Sequence, residues 1–101
     1  MNEIRRHHRE DDEIARIREI VGRHRLPDFV TGFEVRLGDT EGEPAMWIAF
    51  KRVGDDGLDY SELKERAKTM VALYSELQND LLRELEGRYP YFRSESAENA
   101  S

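Results

Sequence analysis

The chain has 101 residues, of which 38% are hydrophobic and 38% are charged, and its formal net charge at pH 7 is −6. This length provides for one domain, and the absence of cysteine excludes disulfides, zinc–thiolate sites and cysteine nucleophiles. The acidic charge disfavours nucleic acid and anionic membranes as partners, since both are polyanions. The sequence has no apolar run near the ~18 residues that span a membrane and no apolar stretch behind its N-terminal charges. We therefore expect a cytoplasmic protein that does not enter a membrane.

The first predicted element is a helix from about Glu10 to His24, preceded by a flexible, polar segment over residues 1–10. Apolar residues recur in it at helical spacing and form one narrow stripe, which consists of Ile14, Ile17, Ile20 and Val21. Pro27 follows and is expected to end the helix.

A β-hairpin is predicted next, with a turn region over residues 38–44. The first strand alternates, so that one face is apolar and the other is largely polar. The apolar face carries Phe29, Thr31, Phe33, Val35 and Leu37. The second strand, residues 45–53, is apolar on both faces: Met46, Ile48 and Phe50 on one, and Ala45, Trp47, Ala49 and Val53 on the other. A strand of this kind is either central in its sheet or covered on its second face.

A long amphipathic helix follows, over residues 59–86. Asp59 and Glu62 have the spacing of a capping box at its start, and Gly87 is suited to its end. Its apolar seam steps by three or four residues through Leu63, Ala67, Met70, Tyr74, Leu77, Leu81 and Leu85. Val71 and Leu82 broaden this seam, and Leu73 is expected to lie to one side of it.

These elements predict an α+β fold, a two-layer αββα unit with or without a short third strand from the segment Tyr89–Phe92. The expected organisation is a single domain over residues 11–93 and a disordered tail over residues 94–101.

The predicted long helix, about 42 Å, is longer than a nine-residue strand, about 30 Å. Part of its seam near the C-terminal end is therefore expected to extend beyond the hairpin, unless residues 89–92 fold back over it. A strand Trp is most often part of the core, but a two-sided strand leaves Trp47 as a candidate contact. The candidate partner-binding residues are Trp47, Leu77, Leu81, Leu85, Tyr89, Tyr91 and Phe92.

The sequence shows no catalytic, cofactor or metal motif. His7 or His8 could share a helix face with Asp11 or Asp12, but two ligands do not form a site, so a solvated charge run is the preferred interpretation. The pair Asp55-Asp56 lies in a turn, where carboxylates are usually hydrated and unsuited to acid–base catalysis. We therefore expect no enzymatic activity, no cofactor and no metal.

The predicted order of elements resembles the K-homology fold of ribosome-binding factor A. The features that carry the resemblance are the strands Phe33–Leu37 and Met46–Val53, the acidic turn before the long helix, and the aromatic segment after Gly87. This resemblance implies RNA binding by a helix–kink–helix element. The sequence has no Gly-x-x-Gly in the corresponding helix, so no RNA-contacting residue is carried over. The same layout occurs in ferredoxin-like regulatory domains that dimerise through their sheets.

The leading functional prediction is a small, acidic, non-enzymatic interaction module that self-associates, or that binds and regulates a protein partner as an antitoxin-like or adaptor subunit. The alternative is RNA binding through arginines that would have to cluster in space: Arg5, Arg6, Arg9, Arg23, Arg25, Arg36 and Arg52.

Overall fold

The computed structural model describes residues 2–97 of the chain, and the side chains of residues 10–97. Within this range the elements are α1 (Asn2–Gly22), β1 (Val30–Thr40), β2 (Glu43–Arg52), α2 (Tyr60–Glu84) and β3 (Tyr89–Ser96). The α+β fold is confirmed, and so is the third strand. The first helix begins at Asn2, well before the expected Glu10, and β3 continues to Ser96, into the expected tail. Residues 98–101 of that tail lie outside the described range.

The three strands form one sheet in the order β1-β2-β3. Strands β1 and β2 pair antiparallel, and β3 pairs parallel with β2, so that Ala45 lies opposite Tyr89 and Ile48 opposite Phe92. Of the two alternatives predicted for the two-sided strand, the structure has the central position in the sheet. The predicted turn over residues 38–44 is too long, since β1 and β2 continue to the two-residue turn Glu41-Gly42. Both turn residues have positive φ, +52° and +84°, as in the tight hairpin turns whose twist matches that of the strands.

Helix α2 begins with the predicted capping box. The Asp59 carboxylate accepts a hydrogen bond from the Glu62 backbone N–H at 2.8 Å, and the Asp59 N–H donates to the Glu62 carboxylate. The helix is 25 residues long, about 38 Å, and runs unbroken from Tyr60 to Glu84. The kinked helix pair that the K-homology resemblance implies is thus absent over this range.

Both helices pack on the same face of the sheet. The core cluster joins Ile17, Ile20 and Val21 of α1 to the inner residues of the strands and of α2. Those inner residues are Val35, Met46, Ile48, Phe50, Met70, Leu73, Leu77 and Leu81. Side chains alternate along a strand, so the opposite face of the sheet has neither helix against it.

Ion pairs fix α1 beside the C-terminal half of α2. Arg16 and Arg23 both bind the Glu84 carboxylate, at 3.0 and 2.8 Å, and His24 Nε2 lies 2.6 Å from an Asp80 carboxylate oxygen. The Arg23–Glu84 pair is exposed and contributes little to the free energy of unfolding, whereas the Arg16–Glu84 and His24–Asp80 contacts are partly buried. Their positions show which end of α2 the first helix covers.

Of the two alternatives for the C-terminal end of the α2 seam, an end without cover is therefore wrong. Leu77 and Leu81 are fully buried and Leu85 is half-buried, because α1 and the sheet enclose that end. The exposed end is the N-terminal one, where Leu63 is 39% exposed. Leu73, expected to one side of the seam, is buried, and the residues expected to broaden it, Val71 and Leu82, are exposed.

This orientation of α2 predicts that substitutions of two neighbouring leucines change the free energy of unfolding by very different amounts. Leu81→Ala should lower the free energy of unfolding by about 2–5 kcal/mol, because it opens a cavity in the core. Leu82→Ala, at a position 44% exposed, should change it by no more than about 0.5 kcal/mol. Urea denaturation followed by circular dichroism measures both. Equal losses for the two variants would show that α2 is rotated from the orientation described.

Candidate interaction surface

The sheet face that neither helix covers, hereafter the open face, is defined by the strand register. The outward residues form four rows across the sheet, each with one residue from β1, one from β2 and one from β3. Starting from the hairpin turn, the rows are Gly38, Ala45 and Tyr89; Arg36, Trp47 and Tyr91; Glu34, Ala49 and Arg93; and Gly32, Lys51 and Glu95. Aromatic residues therefore occupy the end near the hairpin turn, and charged residues the other end.

Three aromatic rings are in contact on this face. The Trp47 and Tyr91 rings are nearly parallel, with centroids 6.0 Å apart, and the Tyr89 ring lies 5.2 Å from that of Tyr91. Tyr89 and Tyr91 are 48% and 39% exposed. The Trp47 ring lies so close over Gly38 that a Cβ built there would be 2.7 Å from a ring carbon. The absence of a side chain at Gly38 is thus what lets the indole lie against β1.

The charged end of the open face carries both signs. Lys51 forms a salt bridge with Glu34 at 3.0 Å, and the hydrogen bond from Lys51 holds the pKa of the Glu34 carboxyl below its usual value. Arg36 and Arg93 are exposed, and neither forms a salt bridge among the side chains described. With Trp47 they border a shallow depression of about 240 Å³ whose other lining residues are Glu34 and Ala49.

The seven candidate contact residues fall on two different faces. Trp47, Tyr89 and Tyr91 come together on the open face. Phe92 lies on the helix-covered side, where its ring stacks on Tyr74 at 5.1 Å. The candidate leucines are on that side as well. Leu77 and Leu81 belong to the fully buried core, and Leu85 is partly buried against it. Leu77 and Leu81 are therefore corrected from candidate contacts to core residues.

The arginines of the RNA-binding alternative do not gather in one place. Arg36 lies on the open face, whereas Arg23 is paired with Glu84 and Arg52 is on the helix-covered side, paired with Asp55. Arg25 is exposed in the segment after α1. The side chains of Arg5, Arg6, Arg9, His7 and His8 lie outside the described range, so the hypotheses that depend on them stay predictions. Arg93, which does lie on the open face, was missed, although alternation along β3 places it on the same side as Tyr91.

The carboxylate of Asp55 has lost most of its contact with water, contrary to expectation for a turn. Its side chain is 16% exposed and forms salt bridges with Arg52 at 3.1 Å and with Arg66 at 2.7 Å. Burial acts to raise the pKa of Asp55, but the hydrogen bonds from the two arginines outweigh it and lower the pKa. A carboxylate held ionised in this way is unsuited to donate a proton in catalysis.

No group of three metal-ligating side chains is found in the part of the chain described, and no helix between residues 2 and 97 is long and apolar enough to cross a membrane. Comparison of the chain with protein-family models, curated proteins and solved structures finds no match. The feature of the described residues that indicates a function is therefore the geometry of the open face.

The close approach of Trp47 to Gly38 predicts a matched pair of glycine substitutions. Gly38→Ala should displace the indole, with a change in tryptophan emission and near-ultraviolet circular dichroism, because the added methyl group occupies the position of the ring. Gly32→Ala adds the same methyl group to the same face of β1, where no atom lies within 4 Å, and should leave both spectra unchanged. Unaltered spectra in Gly38→Ala would mean that the indole does not lie against β1.

Proposed function

We propose that this protein is a non-enzymatic interaction module that pairs with a second copy of itself through the open face. The observation that carries the proposal is a sheet face without a helix, on which the Tyr91 ring contacts both Trp47 and Tyr89. Both helices pack on the opposite face, and the contact that α2 makes with these rings is a hydrogen bond at 2.8 Å from the Gln78 amide to the Tyr89 hydroxyl at the edge of the sheet. Tyr89 and Tyr91 nevertheless remain 48% and 39% exposed.

The composition of the open face is typical of an interface. Tryptophan, tyrosine and arginine are the residues most enriched among energetically dominant contacts, and this face has one tryptophan, two tyrosines and two arginines. The chain has a net charge of −6, but this face has three basic residues (Arg36, Lys51, Arg93) against two acidic ones (Glu34, Glu95). Two copies that meet through this face therefore bring together surfaces of net charge +1 rather than two acidic surfaces.

The arrangement of the rows is self-complementary, as a two-fold interface requires. A second copy turned by 180° about an axis along β2, in the plane of the interface, places its β1 over β3 of the first and keeps each row opposite itself. Glu34 of each copy then faces Arg93 of the other, and Arg36 faces Tyr91. Gly38 of each copy, with the Trp47 indole lying over it, faces Tyr89 of the other. Sheets packed face to face in this way leave about 10 Å for the interdigitating side chains.

The size of the open face predicts a weak dimer. It has twelve outward positions, whereas stable interfaces use roughly 20–30 residues on each side. The two Lys51 side chains also face each other in this arrangement, although each is paired with Glu34 of its own copy. We therefore expect self-association that depends on concentration.

Sedimentation equilibrium tests the proposal. The mass of the parent protein should rise from one chain toward two between about 10 μM and 1 mM. Tyr91→Ala should remain monomeric over this range, because it removes a central ring of the cluster. Tyr60→Ala is the matched control, since Tyr60 is 81% exposed at the start of α2, away from the open face. This variant should dimerise as the parent does. A parent protein that stays monomeric at 1 mM would contradict the proposal.

A charge exchange tests the arrangement itself. Arg93→Glu should weaken the dimer at least tenfold, because it brings two acidic residues together across the interface. The triple variant Glu34→Arg, Lys51→Glu and Arg93→Glu should recover most of that loss, since opposite signs again face each other across the interface and position 34 keeps an oppositely charged partner at position 51. Failure of the triple variant to restore dimerisation would exclude the two-fold axis along β2.

Binding of single-stranded RNA is the second candidate, favoured by exposed aromatic rings that lie beside Arg36 and Arg93. Bases stack on such rings, and arginines contact the phosphates. Filter binding at low salt separates the two candidates. Retention of a mixed-sequence RNA by the parent but not by Tyr91→Ala would favour RNA as the ligand of the open face, and no retention would exclude it.

A further inference from the structure

A second concave site lies on the helix-covered side of the sheet, at the N-terminal end of α2. It is a cleft of about 400 Å³ between α2, the loop after β2 and the second half of β3. This volume is within the range of small-molecule sites. The residues that line it are Arg52, Asp55, Leu63, Arg66, Ala67, Met70 and Ser94. Its position, on the other side of the sheet from Trp47 and Tyr91, makes it independent of the open face.

One side of the cleft is cationic and held in place by hydrogen bonds. Arg52 and Arg66 both bind the Asp55 carboxylate. Arg52 also donates to the Ser94 hydroxyl, and Arg66 donates to the Val53 carbonyl at 2.7 Å. Both arginine side chains are only about one-fifth exposed. Two guanidinium groups share one carboxylate, so this side has a net charge of +1 within an acidic chain.

Stacking further limits the movement of Arg66. Its guanidinium carbon lies 4.5 Å from the centroid of the Phe29 ring. The ring attracts the guanidinium charge and holds the guanidinium group over its face. A guanidinium fixed from two sides has lost most of its conformational entropy before any ligand arrives, which lowers the entropic cost of binding an anion.

The other side of the cleft is apolar and lacks cover. Leu63 is 39% exposed and Ala67 is exposed, and both belong to the α2 seam that was expected to face the sheet. They are open because α1 covers the C-terminal half of α2 and leaves the N-terminal half without a neighbouring helix. Met70, 2% exposed, closes the inner end of this wall.

We propose that this cleft binds a small amphiphilic anion, with its head group on Arg52 and Arg66 and its apolar chain along Leu63 and Ala67. A carboxylate and a phosphate monoester share the required chemistry, since both accept charge-assisted hydrogen bonds from guanidinium groups. The Ser94 hydroxyl adjoins Arg52 and can donate to the same head group. An eight-carbon chain is a suitable probe, because the wall from Leu63 to Met70 extends for about 10 Å at the helical rise per residue.

Isothermal titration with octanoate, octyl phosphate and octanol tests the charge requirement. At least one of the two anions should bind saturably, and at least tenfold more tightly than octanol. Comparison of octanoate with octyl phosphate then identifies which head group the site prefers. Equal affinity for octanol and for the better anion, or no saturable binding of either anion, would overturn the proposal.

Two tryptophan substitutions on α2 test the location. Ala67→Trp fills the cleft and should weaken binding of the anion more than tenfold. Ala72→Trp makes the same change at an exposed position outside the cleft and should bind as the parent does. Far-ultraviolet circular dichroism verifies that both variants are folded. Arg66→Gln provides a second test, since it should reduce the preference for the anion over octanol. Binding that survives Ala67→Trp and keeps its preference in Arg66→Gln would place the ligand elsewhere.

Discussion

The packing of both helices on one face of a three-stranded sheet is the constraint from which the other features of this molecule follow. Strand β2 is apolar on both faces and lies between β1 and β3. Its inner residues, such as Ile48 and Phe50, are fully buried by the helices. Its outer residue Trp47 lies against Gly38 and the Tyr91 ring and remains partly exposed. The fold thus buries one apolar surface and leaves aromatic rings partly exposed on the other face.

The position of α1 along α2 explains the second site. Contacts of Arg16, Arg23 and His24 with Glu84 and Asp80 hold α1 against the C-terminal half of α2. The N-terminal half of the seam is left without cover, beside the two arginines that bind Asp55. An open apolar wall and a cationic group therefore lie next to each other as a consequence of helix placement, and the same sheet separates them from the aromatic cluster.

Local signals in the sequence predicted local structure well. The capping box at Asp59, the alternation over Phe33–Leu37 and the two-sided pattern of β2 each correspond to what the chain forms, because each depends on residues a few positions apart. The predicted alternation fails at Thr31, which is exposed at a register shift between Val30 and Gly32. Which end of α2 is covered depends on contacts between residues that lie 56 to 68 positions apart in the sequence. Examples are the contacts of His24 with Asp80 and of Arg16 with Glu84. Helical periodicity contains no information about these contacts. The sequence therefore identified the apolar seam but not which of its ends is exposed. It did not indicate Arg66 as a site residue, because the contact of Arg66 with Asp55 depends on the loop after β2.

The most direct test of the account is nuclear magnetic resonance with a soluble paramagnetic probe, at low and at high protein concentration. The account predicts that ring protons of Trp47 and Tyr91 are strongly relaxed by the probe in the dilute monomer, while those of Phe50 are not. As the concentration rises, the relaxation of the Trp47 and Tyr91 protons should fall, because a second copy covers them. Trp47 and Tyr91 protons that are shielded in the dilute monomer, or equally relaxed at both concentrations, would contradict it.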